Sequence, residues 1–341
     1  MVREYKCPNC GAPMIFDSTL QQMLCEHCDT VKTVEEMETA EENTAYETGE
    51  EASIKRYTCS NCGAEIVTDD YTAATFCSFC GSPTLMEDRL SGEKMPARII
   101  PFKISKEQAQ NSYRAWCKKG MLTPKDFTSQ NTIEKITGMY VPFWLYDYYA
   151  NAKLNANCTR VKRERRGDME YTHTDHYHVY RDVSDYYEKV PVDASEKMPD
   201  SVMDRLEPYS YGELQEFNMG YLSGYMAEKY NFTSDELKKR VENRLEGYIF
   251  KEARDTISGY SSTAVTEKNV RLSCKRATYA MLPVWLLNYR YKGKEYMFAL
   301  NGQTGKIVGT LPISSGKVLA WFGGITAAVY VLLTIIGGIL A

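Results

Sequence analysis

The sequence predicts an α+β architecture with two small four-cysteine ribbons in front and one membrane-spanning helix behind, and three observations carry that reading. Cysteines recur as close pairs between residues 7 and 80; alternating Tyr- and Val-rich runs share the middle of the chain with capped helical segments; and the last 24 residues carry no charge. At 341 residues the chain exceeds one ordinary domain and suits two or three. The formal charge of -4 hides an asymmetry, because residues 1–95 hold 18 Asp or Glu against 7 Lys or Arg. The remainder is therefore net basic, which points to regions with different partners or to halves that attract each other.

Eight of the eleven cysteines fall into four Cys-x-x-Cys pairs: Cys7 with Cys10, Cys25 with Cys28, Cys59 with Cys62, and Cys77 with Cys80. The second set repeats the first 52 residues later, with fourteen residues between pairs in both. The opening MVREYKCPNC has no apolar signal core, so the thiols are expected to face a reducing compartment, where such pairs hold metal more often than each other. Zinc takes four thiolates at tetrahedral corners, and two tight turns approaching from opposite sides supply them. Gly11, Gly63 and Gly81 directly follow the second Cys of a pair, where the turn calls for positive φ, and Asp29 takes that place after the remaining pair. Two rubredoxin-like zinc ribbons are thus expected at 1–34 and 55–94, each holding one structural Zn²⁺ on its four cysteines. A redox dithiol would open a helix, which these turn residues oppose. His27 is not needed as a ligand where four thiols are at hand.

Ribbons of this kind often bind nucleic acid, but here the ribbon region is acidic and eight thiolates around two Zn²⁺ add further negative charge, so phosphate would be repelled. The stretch from Glu35 to Glu51 has eight Glu and no Lys or Arg, the composition of a solvated linker, assigned to 35–54.

From Val318 to Ala341 the 24 uncharged residues would form a helix of about 36 Å, enough to cross a hydrocarbon core of about 30 Å. Lys306 and Lys317 precede this span and nothing basic follows, so the N-terminal bulk is expected on the cytoplasmic side of the cell membrane, in a single-pass arrangement. Trp321 suits an interface and Tyr330 a packing face. Gly323, Ala327, Gly337 and Gly338 would permit close helix contact.

Residues 95–312 read as an α+β domain. Ser105 with Gln108, and Thr233 with Glu236, form capping boxes before helices, and Gly120 can end the first. A third helix is expected from Glu213 to Tyr230. YTHTDHYHVYRDV and KEYMFALNGQTGKIVG read as strands, the second turning at Asn301, Gly302 and Gly305. Pro142-Phe-Trp144-Leu recurs 141 residues later as Pro283-Val-Trp285-Leu, consistent with two related halves or simply with two buried strands.

Chemistry is sparse in this region. On a strand His176 and His178 share a face that His173 opposes, too little for a metal site. Cys117, Cys158 and Cys274 stand without a Ser-His-Asp or Cys-His context and read as small buried hydrophobes. GQTGK at 302–306 lacks phosphate-loop spacing and reads as a turn. Arg160, Lys162, Arg163, Arg165 and Arg166 form the strongest basic cluster; a solvated hairpin is its default, with anionic lipid or the acidic ribbons as candidate contacts.

The ribbon pairs, MYVPFWLYD at 139–147, VPVDASEKMPDSVMDRLEPY at 190–209 and ALNGQTGKIVGTLP before the final helix together resemble a bacterial zinc-ribbon membrane family of the YdjG type. Its members are described as transcription-factor-IIB-type zinc-ribbon proteins and sometimes as replication restart helicases. The resemblance implies a non-enzymatic membrane protein, encoded among membrane-stress genes, that helps recruit a flotillin-like SPFH-domain protein and a phage-shock-type protein. It carries ligand roles only to the eight ribbon cysteines. The helicase label has no support in the residues, since there is no phosphate loop and no room for two motor domains. The expectation is a membrane-anchored adaptor for protein partners, with no catalytic residue and no small-molecule substrate assigned. A membrane-tethered nucleic-acid binder relying on residues 160–166, and a membrane enzyme with a site near the three histidines, are the alternatives.

Overall fold

The computed structural model describes residues 2–39, 55–90 and 95–340; residues 40–54 of the expected linker lie outside them, as do the surroundings of Gly337 and Gly338. The chain opens with β1 (Val2–Arg3), followed by a three-stranded antiparallel sheet of β2 (Ile15–Asp17), β3 (Gln22–Leu24) and β4 (Val31–Lys32). Helix α1 (Val34–Thr39) follows, where linker was expected from residue 35. A capping box explains it: the Thr33 hydroxyl accepts from the Glu36 amide at 3.1 Å and the Glu36 carboxylate accepts from the Thr33 amide at 3.2 Å. The helix then returns Glu38 to the Tyr5 hydroxyl, 2.7 Å away, and to Arg3, 3.5 Å away.

The second ribbon pairs β5 (Lys55–Thr58) with β6 (Glu65–Thr68), then forms the hairpin of β7 (Thr72–Phe76) and β8 (Pro83–Met86). That hairpin belongs to an eleven-stranded sheet, because β8 pairs with β1 and β7 pairs with a strand of the central region. The two ribbons are therefore joined by a strand pair, Val2 opposite Met86 and Arg3 opposite Leu85, and not by residues 35–54 alone.

The central region is built twice from the same parts. The first half runs β9 (Arg98–Ile99), α2 (Lys106–Lys119), α3 (Gln130–Glu134), β10 (Thr137–Arg166) and β11 (Met169–Asp193). After α4 (Asp200–Leu206) and β12 (Gln215–Glu216), the second half runs β13 (Met226–Glu228), α5 (Ser234–Asp255), β14 (Ser262–Tyr291) and β15 (Lys294–Asn301). In each, a short strand leads to a capped helix, a 30-residue strand and an antiparallel return.

The long strands β10 and β14 pair antiparallel about Val141 opposite Leu282, and each half's short strand adds in parallel to the other half's long strand. This arrangement gives the repeated Pro-x-Trp-Leu a physical meaning. The carbonyl of Pro142 accepts from Ala194 N–H and that of Pro283 from Gly302 N–H, both at 2.9 Å. The indole of Trp144 donates to Phe232 O at 3.0 Å and that of Trp285 to Ile104 O at 2.9 Å; these carbonyls immediately precede the caps Thr233 and Ser105. Each half thus locks the start of the other half's helix to its own strand.

The halves differ in length. Helix α2 is 14 residues and sits in the main core beside Phe298 and Phe127, whereas α5 is 22 residues and lies along an extension of β11, β10 and β14. Leu237, Val241, Leu245, Ile249 and Ala253 recur at helical spacing on its buried face, meeting Tyr148, Ala150, Ala152 and Leu154 at strand spacing. Past the end of α5 the β10–β11 hairpin continues as a bare ribbon to the turn at Gly167.

The third helix expected from Glu213 to Tyr230 does not form. Residues 211–213 and 219–222 are single 3₁₀ turns, and β12 and β13 add to the sheet. Gly220 and Gly224 explain this: Gly220 packs under Val34, and Gly224 takes φ +87° with Ile15 so close that a Cβ would lie 3.0 Å from it. The segment is a seat for the first ribbon, not a helix. The final elements are β16 (Ile307–Gly309), paired to β15 through a turn with Gly305 at φ +76°, and α6 (Ser315–Leu340). None of the apolar span of α6 over Ser315–Ile336 is buried in the protein.

Candidate metal centres

Four knuckles of one geometry position the cysteines. In each, the amide of the residue after the second Cys donates to the carbonyl of the first at 2.9 Å: Gly11 to Cys7, Asp29 to Cys25, Gly63 to Cys59 and Gly81 to Cys77. Those four residues have φ of 74°, 55°, 74° and 75°, as the turn chemistry requires, and Asp29 adopts the left-handed conformation that glycine takes elsewhere. The first Cys of each pair in turn donates its amide one residue further on, to Ala12, Thr30, Ala64 and Ser82, at 2.8–2.9 Å.

The knuckles meet in pairs. Sγ of Cys7, Cys10, Cys25 and Cys28 converge, as do those of Cys59, Cys62, Cys77 and Cys80, each set lying within 4.8 Å. Contacts across the first tetrad are 3.5 Å (Cys7 to Cys28, Cys10 to Cys25), and across the second 3.7 Å (Cys59 to Cys80, Cys62 to Cys77). A tetrahedron with metal–sulfur bonds of about 2.3 Å has edges of about 3.8 Å, so both tetrads fit a zinc-sized ion. The distances are far from a disulfide, and all eight cysteines are free.

The surrounding polar groups favour thiolate. Thr30 lies 3.1 Å from Cys28 and Ser82 lies 3.3 Å from Cys80; the Thr30 hydroxyl lowers the Cys28 thiol below its ordinary value, and the Ser82 hydroxyl, then its amide, bring Cys80 down to about 6. At Cys10 and Cys62 the amides of Ala12 and Ala64 favour ionisation, but the crowding sulfurs outweigh them and push both thiols up to about 12. Four sulfurs this close cannot all ionise without a cation among them.

A second layer repeats as well. Asn9 donates to the Thr30 hydroxyl at 2.8 Å, and Asn61 to the Ser82 hydroxyl at 2.7 Å, orienting each hydroxyl toward the last cysteine. Sequence reasoning missed these four residues, although both units read Cys-x-Asn-Cys-Gly-Ala and the shared Asn was the available signal. His27 is exposed and belongs to neither tetrad.

The remaining candidates do not converge. His173, His176 and His178 are exposed on the outer strand β11, and His178 meets only Asn157 among the hydrogen bonds described. Cys117 and Cys158 are buried and Cys274 half-buried, well apart in the fold. The basic cluster runs up β10 to the bare hairpin tip, where its register interleaves it with acid: Arg160 opposite Asp175 and Arg165 opposite Glu170, with ion pairs from Arg163 to Glu170 at 3.7 Å and Arg166 to Glu164 at 3.2 Å. Its field is largely cancelled within the hairpin, in keeping with a solvated ribbon.

Residues 190–209 serve α5. Arg240 reaches Asp193 (2.9 Å, off the hydrogen-bond axis), Asp200 (2.9 Å) and Asp204 (2.7 Å), and Arg244 grips Glu207 at 3.0 Å. Burial pushes the Asp193 carboxyl up to about 6, with Arg240 opposing.

Two cysteine tetrads able to hold metal ions, a sheet-rich centre and an apolar terminal helix fit a membrane-anchored zinc protein. The chain is 46% identical over 336 residues, covering 98% of each chain, to "Uncharacterized protein YdjG" of Bacillus subtilis (strain 168), and it belongs to that protein's family. No family model matches the chain. No solved structure matches it either.

Proposed function

We propose that this protein is a zinc-dependent adaptor fixed to the cytoplasmic face of the cell membrane by α6, with zinc-stiffened ribbons presenting a binding surface to protein partners. The observation that carries it is the outer knuckle of the second ribbon, where Phe79 is 75% exposed between Cys77 and Cys80 and Phe76 is 38% exposed just before them. An aromatic side chain held in water on a metal-braced turn is costly unless something covers it. Phe76 also lines a cleft of about 810 Å³ between the ribbons and the central region, whose lining carries Asp17, Glu26 and Glu107 against one cation, Lys106. Aromatic anchors beside acidic groups suit an apolar segment flanked by basic residues. The family resemblance suggests an SPFH-domain protein as that partner, and catalysis is not assigned.

The test is in-cell crosslinking from the membranes of cells expressing wild type, Phe79→Ala or Phe76→Ala. Specific crosslinks should fall in both variants while metal content and membrane retention stay at the wild-type level. Unchanged crosslinks in both would overturn the reading.

A further inference from the structure

The helix α6 is not tethered loosely to the protein. The Ser314 amide donates to Leu122 O at 2.8 Å, the Lys317 ammonium to Thr123 O at 2.6 Å, and the Lys292 ammonium to the Ser315 hydroxyl at 3.0 Å. Leu311 packs so close to Gly120 that a Cβ there would lie 2.7 Å from it. The loop after α2, the β14–β15 turn and the first turn of α6 therefore form one body, and the uncharged span begins at Val318, directly after Lys317. Whatever surface surrounds that junction must lie at the level where the span enters lipid.

That surface has a distinct chemistry. The three segments meeting there, 118–123, 290–295 and 311–317, bring together Lys118, Lys119, Arg290, Lys292, Lys294 and Lys317. Their single acid, Glu295, is paired with Arg290 at 2.6 Å. Met121 and Ile313 stand 65% and 63% exposed among these cations. The basic hairpin tip, by contrast, lies at the other end of the long strands: β14 alone spans 30 residues, roughly 100 Å of contour, from the junction to Ser262.

We propose that this junction is a lipid-docking face, in which the lysines bind the phosphates of anionic phospholipid headgroups while Met121 and Ile313 enter the interface between them. The inference rests on reading α6 as a membrane span. Basic side chains next to a span attract anionic lipid over about one Debye length, and apolar side chains at that depth add burial. Because five of the six cations come from outside the α6 segment, the collar exists only in the folded chain.

The experiment uses the full chain in nanodiscs of phosphatidylcholine alone, with phosphatidylglycerol added, or of phosphatidylcholine with free inorganic phosphate. Backbone hydrogen exchange over 118–123 and 290–295 is the readout. Exchange should slow by about tenfold or more only with phosphatidylglycerol, and should revert in the Lys118→Gln, Lys119→Gln, Lys292→Gln, Lys294→Gln variant while that variant stays in the disc. Equal exchange in both lipids, slowing by free phosphate, or protection retained by the variant would overturn the collar alone. A wild-type chain that does not enter nanodiscs would overturn the span and the collar together.

Discussion

The two ribbons share their knuckles, tetrads and Asn–hydroxyl supports, yet their ligands stand differently toward the rest of the molecule. In the first, Cys7 and Cys25 are part of the main core with Met14, Phe16, Met23, Val34, Tyr221 and Tyr225; Phe16 meets Tyr221 edge to face at 5.0 Å, and the Ser223 hydroxyl donates to Met14 O at 2.7 Å. In the second, Cys59 and Cys77 lie outside that core, in a satellite cluster with Tyr57, Ile66 and Met86; its β7–β8 hairpin reaches the centre through Ala73, Ala74 and Leu85 of the main core and the β7–β13 pairing, beside which Lys197 contacts Asp69 at 2.6 Å and Glu228 at 2.7 Å. The same module thus has its buried ligands inside the main core in one case and beyond it, on a hairpin rooted in the sheet, in the other. The difference assigns stability chiefly to the first ribbon and display to the second.

The sharpest way to break that contrast is to remove one ligand from each. Cys25→Ser should lower the thermal midpoint of the detergent-solubilised chain by more than about 10 °C or prevent folding, since structural zinc contributes about 10 kcal/mol against a total stability of about 5–15. Cys77→Ser should cost less than half that shift. Equal shifts would show that the two ribbons are seated alike. Next come the glycines. Gly224→Ala should destabilise by about 2 kcal/mol, through a positive φ and the Ile15 contact, whereas Gly63→Ala, at φ +74° with open space around it, should cost about 1 kcal/mol in chemical denaturation.

A finer prediction concerns the second layer of the tetrads. Asn9→Ala and Asn61→Ala should each weaken zinc affinity by about tenfold in competition with a chelator, the low end for a lost support of a ligand's partner. The smallest effect is electrostatic. Burial would raise the Asp69 carboxyl, but Lys197, the Thr72 hydroxyl and the Thr72 and Tyr71 amides outweigh it and hold it well below the usual range. A depressed acid stabilises above its unfolded value, near 3.8, and loses that contribution as pH falls through the folded value. Because both partners are half-exposed, the gain should be under about 1 kcal/mol. Local exchange in the second ribbon should therefore rise with salt and below about pH 4, and Asp69→Asn should reduce that salt response while leaving exchange in the first ribbon unchanged.

How far the sequence spoke for this structure depends on how local each signal is. Spacing of Cys-x-x-Cys and the residue after each pair foretold both tetrads and all four left-handed turns, because a knuckle is closed by hydrogen bonds within six residues. Capping boxes located α2 and α5 for the same reason, and 24 uncharged residues marked α6. The failures came where distant segments decide. Residues 213–230 have helical periodicity, but contacts with Val34 and Ile15 of the first ribbon claim Gly220 and Gly224. Thr33 and Glu36 cap a short helix inside what composition marked as linker. The basic cluster read strongly along the chain, until the register of β11 set Asp175 and Glu170 across from it; the lysines around α6 read weakly, because three segments contribute them. Pro142 and Trp144 matched Pro283 and Trp285 in sequence, but only the cross-bonding to Phe232 and Ile104 shows what the match does.

Each tetrad should hold one zinc ion in a chain anchored in lipid. Native mass spectrometry of the full chain released directly from membrane nanodiscs tests it in a single spectrum. Two zinc ions per chain are expected in wild type and one in Cys77→Ser; a metal-free mass, a mass carrying iron and sulfide, or no chain recovered from the membrane would contradict the account.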